Sequence, residues 1–213
     1  MYWVNPAPPG PATTVQLVPE NRLRVYGMAA IIETIADTGS TLHLRQQYGV
    51  GMHTVLARVG GRPVGILANN PKHLGGAIDG DGALKAARFI ELCDAHDLPI
   101  VSLVDCPGFM VGTESEADAT VRKFSKMFVV GGSITTPFFS IFIRKGYGLG
   151  AMAMAGGMCM GHEVVVGLGL VLTNSPGALA PCRHCDITRS SQFPCLYADW
   201  GFSFLFGYQE LCP

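Results

Sequence analysis

Between Tyr26 and Gly157 the hydrophobic pattern switches repeatedly between a helical period and short apolar runs. Tyr26–Asp37 spaces Met28, Ile31, Ile32 and Ile35 along one side of a predicted helix. Thr54–Asn69 places two apolar runs around Gly60–Gly61, the pattern of a tight hairpin. Asp79–Asp97 reads as the clearest helix, capped by Asp79 or Asp81, with Leu84, Ala87, Ile90 and Cys93 as its inward stripe. Leu98–Asp105 is a short apolar strand, and Cys106–Phe109 a turn. A second long helix is predicted from about Glu114 to Val130. Its acids come first and its bases later, as the helix dipole favours. Phe138–Ile143 is a strand and Leu149–Met158 a helix of small residues. This alternation predicts an α/β core with mostly parallel strands. Ahead of it, Asn5–Pro19 carries Pro6, Pro8, Pro9, Pro11 and Pro19 and reads as an extended linker from something upstream.

Ligand loops in such folds lie beyond the carboxyl ends of strands. Asn69–Ile78, Asp105–Thr113 and Arg144–Gly150 answer that description, and all contain glycine. The third loop is the most informative. There a buried strand leads through Arg144–Lys145 and the glycines 146, 148 and 150 into the small-residue helix. A helix start exposes N–H groups without intrahelical partners, and their partial positive charge suits an oxygen that becomes negative during reaction. Leu149 is the one larger residue of the turn and keeps its N–H. A glycine-rich helix packed tightly on a sheet, with no ligand, fits the same residues.

Composition narrows the classes. Of 213 residues, 48% are apolar and only 15% charged, so the chain should bury a substantial core, with further surface covered in an oligomer or against a partner domain. A net charge of −1 with dispersed basic residues argues against nucleic-acid binding. Residues 1–10 have neither a basic start nor an apolar core of a secretory signal. The seven cysteines have no framework spacing, which points to reduced thiols in the cytoplasm. Cys93 and Cys106 read as small core residues. Neither Met127–Ile143 nor Val164–Cys182 is a clean membrane-spanning run, each being interrupted by proline.

Side-chain catalysts are hard to find. The chain has no GxSxG elbow, no phosphate-binding loop of the GxxxxGK[ST] type and no HExxH helix. His53, His73, His96, His162 and His184 are scattered. Cys182 and Cys185 have CxxC spacing, yet a structural zinc site needs four ligands, so no metal is expected. Asp105 ends a strand ahead of Pro107–Gly108, where turn chemistry is favoured over a catalytic base. The inventory is poor in side-chain catalysts and rich in backbone donors, which fits stabilisation of an enolate or similar oxyanion.

The run NNPKHLGGAIDGDGALKAARFIELCDAHDLPIVSLVDCPGF, followed by IFIRKGYGLGAMAMAGG, resembles the carboxyl-terminal half of biotin-dependent acyl-CoA carboxyltransferases. These are the β-type subunits of propionyl- and acetyl-CoA carboxylases. Residues that carry the likeness include Asn69, Pro71, Lys72, Gly76, Asp79, Lys85, Arg88, Phe89, Asp94, Asp105, Pro107, Gly108, Phe109, Arg144, Lys145, Tyr147, Gly148 and Gly150. The likeness spans about Val15 to Gly157. It implies a crotonase-like fold of ββα units in a superhelix, incomplete at the carboxyl end. The expected organisation is a linker over 1–19, the carboxyltransferase-type domain over 20–163, and an unmatched tail over 164–213.

The resemblance also implies transfer of a carboxyl group from carboxybiotin to the α-carbon of acetyl- or propionyl-CoA. Biotin would ride on a separate carrier domain or subunit. The backbone N–H groups of Leu149 and Gly150 are the implied oxyanion donors, with Gly76 and Ala77 as weaker ones. Gly148, Tyr147 and Lys145 are placed at the cofactor, and Met152 in the acyl pocket. Implied partners are an amino-terminal carboxyltransferase half or another β-type subunit, a biotin carboxylase or carrier subunit, and acyl-CoA, in an oligomer. Two other readings remain: a non-catalytic fragment that keeps the fold, and a free-standing crotonase-like hydratase or hydrolase. Replacing Gly150 by Val is expected to harm transfer more than folding.

Overall fold

The computed structural model describes residues 17–19, 21, 24–157 and the backbone of a strand at 163–167. One six-stranded sheet carries its strands in chain order. They are β1 (Leu42–His43), β2 (Met52–Val59), β3 (Arg62–Asn69), β4 (Ile100–Cys106), β5 (Phe138–Gly146) and β6 (Glu163–Gly167). β1, β2 and β3 pair antiparallel, and β3 through β6 are parallel. The hairpin turns at Gly60–Gly61, both with positive φ, as a tight two-residue turn requires. β4 is buried along its whole length. That fits its unbroken apolar run, since a central parallel strand is covered on both faces.

Helices α2 (Gly80–Ala95), α4 (Thr120–Gly131) and α5 (Gly148–Met154) connect the parallel strands and share one face of the sheet. Crossovers of constant hand on one face advance the chain one strand at a time, which accounts for the sequential order. Met52, Leu67, Ile90, Ile100, Phe138 and Phe142 fill that layer. On the other face α1 (Met28–Ile35) buries Met28, Ile31 and Ile32 against Val55, Ile66 and Leu103.

The pattern-based elements hold, with four differences, one being that the small-residue helix predicted over Leu149–Met158 spans Gly148–Met154. The long helix predicted from Glu114 is broken into α3 (Thr113–Ala117) and α4, because Ala119 adopts a left-handed φ of 50°. The inward face of α2 is wider than predicted: Ala83, Ala86 and Phe89 are buried beside the expected Ala87, Ile90 and Cys93, while Leu84 is only half-buried. β5 runs on to Gly146, so the basic pair belongs to the strand and Arg144 is buried. No helix of the described residues is long and apolar enough to cross a membrane. Cys182, Cys185 and most of the 164–213 tail lie outside the described residues.

Candidate functional site

The carboxyl ends of β3, β4 and β5 meet at one edge of the sheet, and polar side chains tie them together. Asn69 closes β3, fully buried. Its amide nitrogen donates to the Gly76 carbonyl at 3.3 Å, and its Oδ1 accepts the Asp105 N–H at 3.3 Å. One side chain thereby fixes the first loop to the end of β4. Ile78 also bridges to Phe109, linking the first loop to the second. Gly76 is held against the Asp105 carbonyl so closely that a Cβ would collide with that oxygen.

Asp105 anchors the third loop. The β4–β5 ladder pairs Val104 with Phe142 and then Cys106 with Gly146. One residue of β4 therefore faces three of β5, a bulge that turns the end of β5 towards the helix beyond it. The Asp105 carboxylate supplies the acceptor missing from the ladder: Oδ1 takes the Lys145 N–H at 3.1 Å. Oδ2 takes the Tyr26 hydroxyl at 2.8 Å and lies 3.3 Å from an Arg144 nitrogen. The Arg144 guanidinium stacks 4.9 Å from the centre of the Tyr26 ring and donates to the Arg24 carbonyl at 2.9 Å. Lys145 Nζ lies 3.7 Å from Asp105 Oδ1 and bonds the Gly75 carbonyl. A fully buried carboxylate is tolerated here because two cations and two hydrogen bonds compensate it. Burial, then the Asp105 charge, pushes the Tyr26 phenol well above its usual range.

From this anchor the chain enters α5. Tyr147 donates its N–H to the Cys106 carbonyl at 3.1 Å, and the Ala151 N–H reaches back to the Tyr147 carbonyl at 3.4 Å. The N–H groups of Gly148, Leu149 and Gly150 fall in the unpartnered first turn and find no acceptor among the described residues. Gly148 and Leu149 are exposed and Gly150 is buried. Met152 lies close by on the same short helix, 38% exposed, and Leu149 is 62% exposed. Val111 and Leu74 add exposed apolar side chains on the second and first loops. The result is a row of free donors with apolar residues on the surrounding loops.

Gly76 and Ala77 are placed differently. Their N–H groups donate to the carbonyls of His73 and Leu74 inside a short 3-10 turn. Gly150 is pressed on the second loop: a Cβ there would lie 2.7 Å from the Gly108 carbonyl carbon and 3.0 Å from Cys106 Sγ. Valine at 150 therefore strikes backbone and damages folding as well as any chemistry, contrary to the sequence-based expectation. Cys106 itself is buried, and burial pushes its thiol up to about 12, so it is no nucleophile at neutral pH. Among the described residues no cluster of three or more His, Cys, Asp or Glu could hold a metal. Asp105 and Tyr26 lie 79 residues apart in sequence, and no local signal in the chain points to that pair.

At the carboxyl edge of this α/β sheet stand backbone N–H groups without acceptors among the described residues, beside a buried carboxylate that is committed to structure. The chain belongs to the carboxyl transferase domain family, whose model matches residues 4–168. It is 38% identical over 148 residues to the biotin-dependent acetyl-/propionyl-coenzyme A carboxylase beta5 subunit of Mycobacterium tuberculosis, covering 70% of this chain and 27% of that one. It is 40% identical over 140 residues to the biotin-dependent long chain acyl-coenzyme A carboxylase beta4 subunit of the same species, covering 66% and 27%. The chain thus spans about a quarter of the length of these relatives. Among solved structures, a single-chain, multi-domain long-chain acyl-CoA carboxylase superposes with a TM-score of 0.69 at 54% identity, covering 70% of this chain and 15% of that one. The transcarboxylase 12S core gives 0.72 at 32% identity, covering 79% and 32%. The fold is accordingly that of the carboxyltransferases, which are crotonase-like.

Proposed function

We propose that this chain is the biotin-side half of an acyl-CoA carboxyltransferase. The observation that carries the reading is the row of unpartnered N–H groups at Gly148, Leu149 and Gly150, in a chain of the carboxyl transferase family. Biotin, carried on a separate domain or subunit, supplies the carboxyl group when it is bound. The first turn of α5 suits its ureido oxygen: among the described residues, chain neighbours apart, no atom lies within 4 Å of where a Cβ on Gly148 would sit. Leu149 and Gly150 hold the developing negative charge. Tyr147 and Gly148 shape the turn, Lys145 places a positive charge beside it, and Met152 limits the acyl group. Gly76 and Ala77 act by fixing the loop, since their N–H groups are already engaged. Preorganised donors of this kind need no reorganisation as charge develops, and each is worth about 3 kcal/mol in the transition state.

The acyl-CoA would be presented by an amino-terminal carboxyltransferase half, on this chain's partner or on another β-type subunit. Acetyl- and propionyl-CoA are the proposed substrates, supported by relatives carrying those names; the long-chain relatives set the competing choice. The test is reconstitution. The chain is mixed with an amino-terminal half from a relative, carboxylated biotin carrier and a series of acyl-CoAs, and malonyl- or methylmalonyl-CoA is followed by mass spectrometry. Product formed only with all components supports the reading. Folded chain that captures the partner without turnover identifies a non-catalytic fragment, and acyl-CoA turnover by the chain alone identifies a free-standing crotonase-like enzyme.

A further inference from the structure

Among the described residues the buried charged side chains are Lys85, Asp105 and Arg144. Asp105 and Arg144 answer each other across β4 and β5. Lys85, on α2 and only 3% exposed, has no carboxylate partner among the described residues. Its Nζ donates to the Met52 carbonyl at 2.8 Å and to the Gly49 carbonyl at 3.4 Å. Those carbonyls occupy two of the three ammonium donors and cancel none of the charge. The charge that acts on it from nearby is another cation, Arg45; desolvation, then that repulsion, lowers the Lys85 pKa. Lysine is rarely buried this deeply without an opposite charge.

Lys85 lines a hollow of about 350 Å³ between α2 and the β1–β2 edge of the sheet. Ligand pockets span about 300–1,000 Å³, so the space suits a small molecule. Arg45 lines it too. That arginine is exposed, makes no ion pair among the described residues, and holds a left-handed φ of 51°. Non-glycine residues held in that region cluster at ligand sites. The third cation of the lining, Arg88, is already held 3.0 Å from Glu91. Leu44, Phe89 and Leu92 supply apolar walls. The hollow therefore joins two uncompensated cations to an apolar surface.

We propose that this hollow binds a small organic carboxylate with a short apolar chain. The carboxylate oxygens take the remaining Lys85 N–H and the Arg45 guanidinium, and the chain lies against Leu44, Phe89 and Leu92. One carboxylate brings the single negative charge that Lys85 lacks, and its two oxygens serve two cations. A bare inorganic anion leaves the apolar wall in water, and a neutral ligand leaves Lys85 uncompensated. The hollow shares no residue with the donor turn of α5, and the proposal does not depend on the transfer reaction.

The test is titration calorimetry of the full chain with hexanoate at fixed ionic strength, with hexylammonium and inorganic phosphate as comparison ligands. Hexanoate should bind with a dissociation constant of about 1 mM or tighter. In excess it should raise the urea midpoint. Hexylammonium should not bind, and phosphate should bind roughly tenfold more weakly or less. Arg45→Gln at its exposed position, and Leu92→Glu, which sets a negative charge on the apolar wall, should each weaken hexanoate roughly tenfold. Circular dichroism should remain that of the parent protein in both. Lys85→Met should abolish binding; where that variant does not fold, the Arg45 and Leu92 variants decide. No saturable heat with hexanoate up to about 10 mM overturns the proposal. So does phosphate or hexylammonium binding as tightly as hexanoate, or hexanoate binding that ignores Arg45→Gln and Leu92→Glu.

Discussion

Replacing Asp105 by Asn probes the anchor of the candidate site directly. The carboxylate is fully buried, and the Arg144 side chain that faces it is 7% exposed. Asparagine preserves the shape and one acceptor for the Lys145 N–H. Its neutral amide leaves the buried guanidinium uncompensated, and an NH2 turned towards Tyr26 and Arg144 meets donors instead of acceptors. Leaving one member of a buried ion pair without its partner costs about 3–5 kcal/mol. A domain of this kind has about 5–15 kcal/mol in all. Urea unfolding followed by circular dichroism reads the loss: with a slope of about 1–3 kcal/mol per molar, the midpoint falls by roughly 1–5 M at an unchanged slope. Arg144→Met provides the second edge of a double-mutant cycle. The two changes together should cost clearly less than their sum, because each removes the other's stranded charge. A loss below about 1 kcal/mol for Asp105→Asn, or strict additivity with Arg144→Met, would refute the claim that this carboxylate holds the strand ends together.

Two further changes separate chemistry from stability. Leu149→Pro deletes an N–H that has no acceptor among the described residues, and proline is tolerated in the first turn of a helix. Transfer in the reconstituted enzyme should fall about 100-fold, for a lost donor of about 3 kcal/mol, with little change in the unfolding midpoint; unchanged transfer would remove Leu149 from the donor set. His53 is depressed to about 4, first by burial and then by neighbouring His43. The unfolded chain then binds a proton on His53 below its ordinary 6.5 while the native state resists, so stability present above that value is lost as pH falls from 6.5 towards 4. His53→Gln should flatten that part of a stability-against-pH curve, measured by urea midpoints; an unaltered slope counts against it.

The order of helices and strands was legible because period and punctuation are local properties. Gly60–Gly61 marked its turn, Asp79 capped α2 by accepting the Gly82 N–H, and the unbroken run before Asp105 marked a strand covered on both faces. The turn from β5 into a small-residue helix was also readable, since the first turn of any helix leaves main-chain amides without intrahelical acceptors. Tertiary structure decided what stands behind that turn. Asp105 gains Tyr26 and Arg144 as partners only when β4 and β5 lie side by side and α1 closes the opposite face. The bulge of β5 depends equally on pairing between distant segments. Hydrophobic spacing records which face of an element is buried; it does not record which buried charge meets which, because those pairs form across the sheet and not along the chain.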